Sequence, residues 1–239
     1  MNQRHIVAWV ALTLVTIATP STLADATDSA FTPPEGLPEA WYARIDTDMG
    51  RIIVRLLPDQ APQSVAHFAA MAEGRLEWFD RVVGETKKGP YYDGNKVHRA
   101  VGGHMFEAGA PSDPEQGSPD LFVPFEGSGP VNFSGPGRLG LGKQNGQISG
   151  VRFFVTDAAQ PRLTGLFPCI GAVVTGRDVV TRISSVKTHR NGVPLQAPVI
   201  ERIRVFAVGT PPPLPEPEPY YPERKELTFT RDTGETVKP

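Results

Sequence analysis

From residue 39 to residue 209 the apolar residues come in short runs, broken at close intervals by glycine, proline and polar turn residues. The segment "WYARIDTDMGRIIVRLL" reads as two strands around Asp48-Met49-Gly50, a glycine-containing turn of the hairpin kind. After "PDQAP", residues Val65, Phe68, Ala69 and Ala72 recur at helical spacing and Gly74 supplies a stop, which predicts an amphipathic helix. A second helical pattern, "GRDVVTRISSV", places Val179, Val180, Ile183 and Val186 on one side. The run "PVIERIRVFAV" then reads as a closing strand. Many short strands and two separated helices predict an all-β domain with minor α content, built as a closed antiparallel barrel with helical caps.

The pattern changes at both ends. Residues 1–24 carry Arg4, the apolar run "IVAWVALTLVTIA", Pro20 and then small residues, the layout of a cleaved signal peptide. That run falls short of the roughly 20 residues a spanning helix needs, so no membrane span is expected and the mature protein is expected in the periplasm or secreted. No cysteine stands at the cleavage region, which argues against a lipid anchor. Residues 25–38 read as a flexible lead-in and 39–209 as one domain, large enough for its own core. Residues 210–239 open with "TPPPLPEPEP", where proline removes backbone donors and charge discourages collapse, so they read as a proline-rich extended tail. A passive spacer and a docking motif both fit that composition.

Charge and cysteine content narrow the classes. Loss of residues 1–24 removes one basic residue and no acidic one, leaving 23 basic against 26 acidic residues. Such a balance gives no support for nucleic acid as a partner. Cys169 is the sole cysteine, so no intrachain disulfide exists and stability must come from packing. It sits in the apolar run "LFPCIGAVV", which reads as a buried, inert thiol. His98 and His104 lie six apart without a further His or Cys cluster, so no metal is expected. Neither a nucleophile elbow nor a phosphate-binding loop is present, and no cofactor is expected.

The stretch "YYDGNKVHRAVGGHMFEAG", residues 91–109, holds the candidate chemistry. Arg99 cannot act as a base at any working pH, because its guanidinium stays protonated and offers only donors. Its bland alternative is an ordinary surface arginine. Read together with "RIDTDMGRIIVRLLPDQAPQSVAHFAAMAEG", "GRLGLGKQNGQISGVRFFVT" and "RLTGLFPCIGAVVTGRDVVTRI", this stretch resembles the cyclophilin-type peptidyl-prolyl isomerases across residues 42–207. The resemblance implies an eight-stranded antiparallel barrel capped by two helices, with the site on the barrel's outer face. It implies catalysed rotation of X–Pro bonds, with proline-containing peptides or unfolded secreted proteins as partners. Arg99 matches the family's essential arginine and follows the same histidine, His98.

Other site positions depart from the family. His104 stands in place of phenylalanine, Glu107 in place of glutamine and Arg152 in place of a second glutamine, whereas Met105, Phe154 and Leu163 are kept. Phe167 replaces histidine, Arg162 replaces an aromatic residue, and Val97 replaces phenylalanine. The Arg162 change implies weak binding of cyclosporin-type inhibitors. His104 reads either as a pocket wall or as an exposed loop histidine. Two pairings are open to Glu107, one with Arg152 and one with Arg99. The loop "GKQNGQISG", residues 142–150, lacks the family's usual pattern, and residues 75–90 form a longer link that either borders the groove or packs as a surface loop. Two functions follow: an exported isomerase assisting the folding of secreted proteins, or a cyclophilin-like module that binds proline segments with little turnover.

Overall fold

The computed structural model describes residues 31–80, 83–110, 119, 121–127, 129–218 and 220, with the short pieces 229–230 and 236–237. The expected signal peptide and residues 25–30 of the lead-in lie outside these residues. Strands β1 (Ala40–Thr47) and β2 (Gly50–Leu56) form the expected hairpin, with Thr47 opposite Gly50. The turn itself is Asp48-Met49. Thr47 locks it, its Oγ1 donating to the Gly50 carbonyl at 2.6 Å and accepting from the Met49 amide at 3.1 Å.

Helix α1 (Pro62–Glu73) follows, with Pro62 in its first turn and Gly74 closing it in the left-handed conformation. Ala61 offers no capping oxygen, and the free amides of the first turn are served from far along the chain. The Glu126 carboxylate accepts from Gln63 at 2.8 Å and Ser64 at 2.6 Å. This anion at the positive end of the helix pins the irregular segment 121–127 to the domain.

Residues 75–90, expected as a groove border or a packed loop, fold as a small separate hairpin of β3 (Glu77–Asp80) and β4 (Glu85–Lys88). Trp78 meets Tyr91 edge-on at 5.0 Å and carries Lys87 above its ring, while Phe79 stays exposed.

Apart from the short pair Phe229–Thr230 and Thr236–Val237, which pair with each other, the remaining strands belong to one curled sheet: β5 (Asn95–Lys96), β6 (Arg99–Val101), β7 (Met105–Ala108), β8 (Arg138–Gln144), β9 (Gln147–Thr156), β10 (Cys169–Thr175) and, after helix α2 (Arg177–Ser184), β11 (Val199–Val208). With β1 and β2 they are ordered β5-β11-β1-β2-β10-β8-β9-β7-β6, every pairing antiparallel. This agrees with the expected all-β architecture with two helices; among the described residues the curled sheet has nine strands, and no ladder joins its two ends.

Its end strands, β5 and β6, are separated in the chain only by Val97 and His98. The Val97 amide donates to Pro198 beside β11 at 2.9 Å, and the next amide, of His98, donates to Glu107 on β7 at 3.0 Å. Consecutive amides thus serve opposite edges, and the backbone itself draws the curled sheet around.

Alternation along the strands separates two apolar clusters. Phe106, Leu139, Leu141, Phe153, Val155 and Ile170 join the main core, with Phe68 and Met71 of α1 and Val180 and Ile183 of α2. Their neighbours Met105, Phe154 and Cys169 join Phe133 in a second cluster. Side chains therefore fill the sheet's concave interior, as in small barrels generally, and leave the other face for a site.

Residues 142–150 do not form a loop. They are the end of β8, a two-residue Asn145-Gly146 turn with positive φ at both positions, and the start of β9. The start of the proline-rich segment, 210–218, contains no regular structure and lies along the domain. Trp41 Nε1 donates to the Pro212 carbonyl at 2.7 Å, and the Glu218 amide donates to Gln63 Oε1 at 2.8 Å. Leu214 packs against the main core. A cavity of about 590 Å³ remains where Pro211–Pro213 and Pro215 pass Trp41, Leu57 and Pro130.

Candidate active site

Arg99 is the first residue of β6 and sits directly opposite Glu107 of β7. Glu107 in turn faces Phe154 of β9, Phe154 faces Gly140 of β8, and Gly140 faces Cys169 of β10. The candidate residues thus form one row across the sheet, at about 4.8 Å per strand. Residues far apart in the sequence meet because antiparallel register puts them on one line.

Beside this row lies a pocket of about 200 Å³, lined by Met105, Phe154, Leu163 and Phe167 among apolar side chains and by Glu107, Lys143 and Arg152 among charged ones. Phe154 forms its floor. It stacks on Phe133 with ring centroids 5.4 Å apart and meets Phe167 edge-on at 5.4 Å. Gly140 makes that stack achievable, because a Cβ there would stand 2.6 Å from the Phe154 ring and 2.8 Å from the Phe133 ring. Leu163 is carried by the short 3-10 turn Pro161–Leu163, whose Arg162 is exposed.

The polar side of the site is an ion pair. Arg99 Nη1 donates to Glu107 Oε1 at 2.8 Å, and His98 Nε2 stands 3.6 Å from Glu107 Oε2. Burial pushes the Glu107 carboxyl up, but the adjoining His98 ring and Arg99 guanidinium together outweigh it and hold the group below the usual carboxylate range. Glu107 therefore carries its charge at neutral pH. Arg99 remains 45% exposed and Glu107 25%. The guanidinium is held at one edge by Glu107 while the side chain remains half exposed.

Of the two pairings open to Glu107, the one with Arg99 forms. Met105, Glu107, Arg152, Phe154, Leu163 and Phe167 line one pocket, and Arg99 adjoins it through Glu107. His98 is almost wholly covered and stands behind the Glu107 carboxylate rather than on the pocket wall. His104 lies in the β6–β7 turn, its carbonyl accepting from Asp157 at 2.8 Å, and the pocket lining excludes it. The turn of residues 102–104 between the paired Val101 and Met105 leaves His104 at the strand end, away from the row.

Gly142, Lys143 and the backing ring Phe133 were not singled out from the sequence. The Asn145-Gly146 dipeptide was the available signal, since it marks a tight hairpin and so projects Gly142 and Arg152 onto one face. Cys169 is buried beneath the cluster, and burial foremost raises its thiol to about 11, so it has no nucleophilic role.

An apolar pocket beside a half-exposed arginine thus lies on the outer face of a curled antiparallel sheet accompanied by two helices. The family model described as cyclophilin type peptidyl-prolyl cis-trans isomerase/CLD matches residues 42–205, and the chain belongs to that family. It is 34% identical over 170 residues to peptidyl-prolyl cis-trans isomerase B of Streptomyces anulatus, covering 70% of this chain and 97% of the relative. It is 29% identical over 165 residues to peptidyl-prolyl cis-trans isomerase A of Mycobacterium tuberculosis, covering 68% of this chain and 91% of the relative. Among solved structures, a Cryptosporidium parvum cyclophilin-type isomerase crystallised in the presence of the dipeptide Ala-Pro superposes with a TM-score of 0.57 at 19% identity. The superposition covers 69% of this chain and 98% of that one.

Proposed function

We propose that the protein is an exported prolyl isomerase that accelerates X–Pro rotation in proteins folding outside the cytoplasm. The observation carrying this reading is the row Arg99–Glu107–Phe154 beside the 200 Å³ apolar pocket. Rotation about an X–Pro bond takes tens to hundreds of seconds unaided, against a barrier of about 18–20 kcal/mol set by amide resonance. A catalyst needs to hold the ring and favour the twisted amide. Met105, Phe154, Leu163 and Phe167 supply an apolar seat for the ring. The guanidinium of Arg99, oriented by Glu107, donates to the prolyl nitrogen as it pyramidalises, an interaction stronger in the transition state than in either planar ground state. No bond is made or broken, so the reaction requires no nucleophile.

Export rests on the layout of residues 1–24. It predicts a mature N-terminus near Asp25, measurable by mass spectrometry of the protein recovered outside the cytoplasm, and retention of an intact residue 1 would sink it. Arg162 on the pocket-side turn in place of an aromatic ring supports weak binding of cyclosporin-type inhibitors, and a nanomolar complex would overturn that.

The test of the activity is relaxation of cis X–Pro peptides with the wild-type protein beside Arg99→Ala. Acceleration lost in the variant supports the isomerase. A folded wild-type protein that accelerates no peptide supports the alternative, a module that binds proline segments, in which the Glu107 pair withholds Arg99 from catalysis.

A further inference from the structure

Arg99 is held on a second side, by a turn far downstream in the chain. Strand β6 is the last of the sheet, and one of its edges pairs with β7, where Glu107 takes the guanidinium. Its other edge meets no strand among the described residues. There the Ala100 amide donates to the Gly192 carbonyl at 2.8 Å. Gly192 is buried in a tight turn that closes on itself. The His189 amide donates to the Val193 carbonyl at 2.8 Å, the Gly192 amide to the His189 carbonyl at 3.0 Å, and the Val193 amide to Asn191 Oδ1 at 3.2 Å. Thr188 then bridges Pro194 in antiparallel fashion, which fixes the turn at its base.

Two separate features call for glycine at 192. Its φ is +84°, in the left-handed region that a side chain disfavours. A Cβ there would also stand 3.3 Å from Arg99 Cγ and 3.6 Å from Arg99 Nε. The turn is bonded on all sides, whereas Arg99 is 45% exposed, so the arginine stem is the partner that would yield. A shift of the stem redirects the guanidinium at its end. We propose that Gly192 is a positioning residue for the isomerase: its missing side chain lets the Arg99 stem lie against the 189–193 turn, which together with Glu107 fixes where the guanidinium points. This role rests on the isomerase reading, in which Arg99 is the donor to the prolyl nitrogen.

The experiment uses the full chain with Gly192→Ala and Gly192→Asn. Asparagine enters the left-handed region more readily than alanine, so it adds the Cβ with less backbone strain and keeps the test open if the alanine variant fails to fold. Gly84→Ala in the β3–β4 turn is the control, since Gly84 has φ +73° and an added Cβ there meets nothing within 4 Å. Three quantities are read: kcat/KM for cis X–Pro peptides, peptide affinity by NMR titration, and the Arg99 Nε–H resonance. In the Gly192 variants kcat/KM should fall about three- to tenfold with affinity kept and the Arg99 resonance moved, because a small misplacement of a catalytic group is felt in turnover before binding. Gly84→Ala should leave all three at wild-type values. Unchanged kcat/KM in Gly192→Asn overturns the role, and so does a loss that follows the unfolding midpoint while the Arg99 resonance stays in place. If the wild-type protein accelerates no peptide, the isomerase reading falls and the resonance alone decides. Moved in Gly192→Asn and unmoved in Gly84→Ala, it sustains the positioning of Arg99; unmoved in both, it ends it.

Discussion

The two faces of strands β7, β8 and β9 share a backbone and differ in what their side chains do. The inner face, with Phe106, Leu139, Leu141, Phe153 and Val155, is completely covered and holds the fold together. The outer face, one residue out of step, carries Met105, Glu107, Gly140, Gly142, Arg152 and Phe154 and builds the site. Inner positions tolerate only apolar volume. Outer positions accept a glycine, an acid and a base within one row. Departures from the family's usual residues fall on both sides: Glu107, Arg152 and Phe167 line the outer pocket, whereas Val97 lies in the main core.

The most damaging way to break that contrast is on the inner face. Phe153→Ala should cost about 3–5 kcal/mol of unfolding free energy, because Phe153 packs edge-on against both Phe68 and Tyr92 and the hole cannot close. Denaturant titration reads this directly, and a loss under 1 kcal/mol would dissolve the distinction between the faces. Next comes Arg99→Ala on the outer row. It should lower kcat/KM by about 10²–10³, close to 3–4 kcal/mol of transition-state stabilisation, with the unfolding midpoint nearly unchanged since the side chain is half exposed. An equal loss of stability would reclassify Arg99 as structural.

Gly140→Ala tests the place where the two roles meet. Its Cβ would strike the Phe154 and Phe133 rings, so Phe154 must move and peptide affinity should fall several-fold while the inner core persists. Peptide titration followed by NMR separates that outcome from global unfolding, and wild-type affinity would show that the ring stack does not shape the pocket.

The smallest effects concern protons. Glu107 has a folded-state pKa below its ordinary value, so its contribution is present above the usual carboxylate pKa near 4.3 and disappears as pH falls through the depressed value. The Arg99–Glu107 pair should therefore be insensitive to pH between about 5 and 8, and an NMR titration placing the Glu107 carboxyl above 5 would contradict this. His67, buried in α1 with Nδ1 3.3 Å from the Gly150 carbonyl, is pushed down foremost by burial. Its neutral form is the folded one, so stability should be full above about 6.5 and decline as pH falls below it, and His67→Asn should flatten that slope.

How much of this was legible beforehand varies by residue. The β1–β2 hairpin, α1 and α2 followed from local periodicity and turn chemistry, which act within a few residues. Arg99, Met105, Phe154 and Leu163 were legible through motif resemblance. Lys143 was not, because a charged residue at the end of β8 looks like any solvated strand position until Phe167, 24 residues later, is folded beneath it. His104 stayed open between a pocket wall and a loop histidine because one glycine-rich turn, Gly102-Gly103, decides whether the next residue continues the strand or ends it. The proline-rich segment was read from composition, which describes a chain's stiffness and says nothing of the Trp41 and Gln63 groups that hold it.

The sequence by itself determined the kind of structure and the type of chemistry. Alternating apolar positions dictate strands with one buried face, and a guanidinium without a neighbouring nucleophile dictates charge stabilisation rather than bond making. Only the tertiary structure decided that Glu107 pairs with Arg99, that nine strands rather than eight make the sheet, and that consecutive amides at Val97 and His98 link its opposite edges. Those outcomes depend on cross-strand register. Register is set by the whole curled sheet closing on its core, and a shift of one residue would have sent every site residue to the inner face.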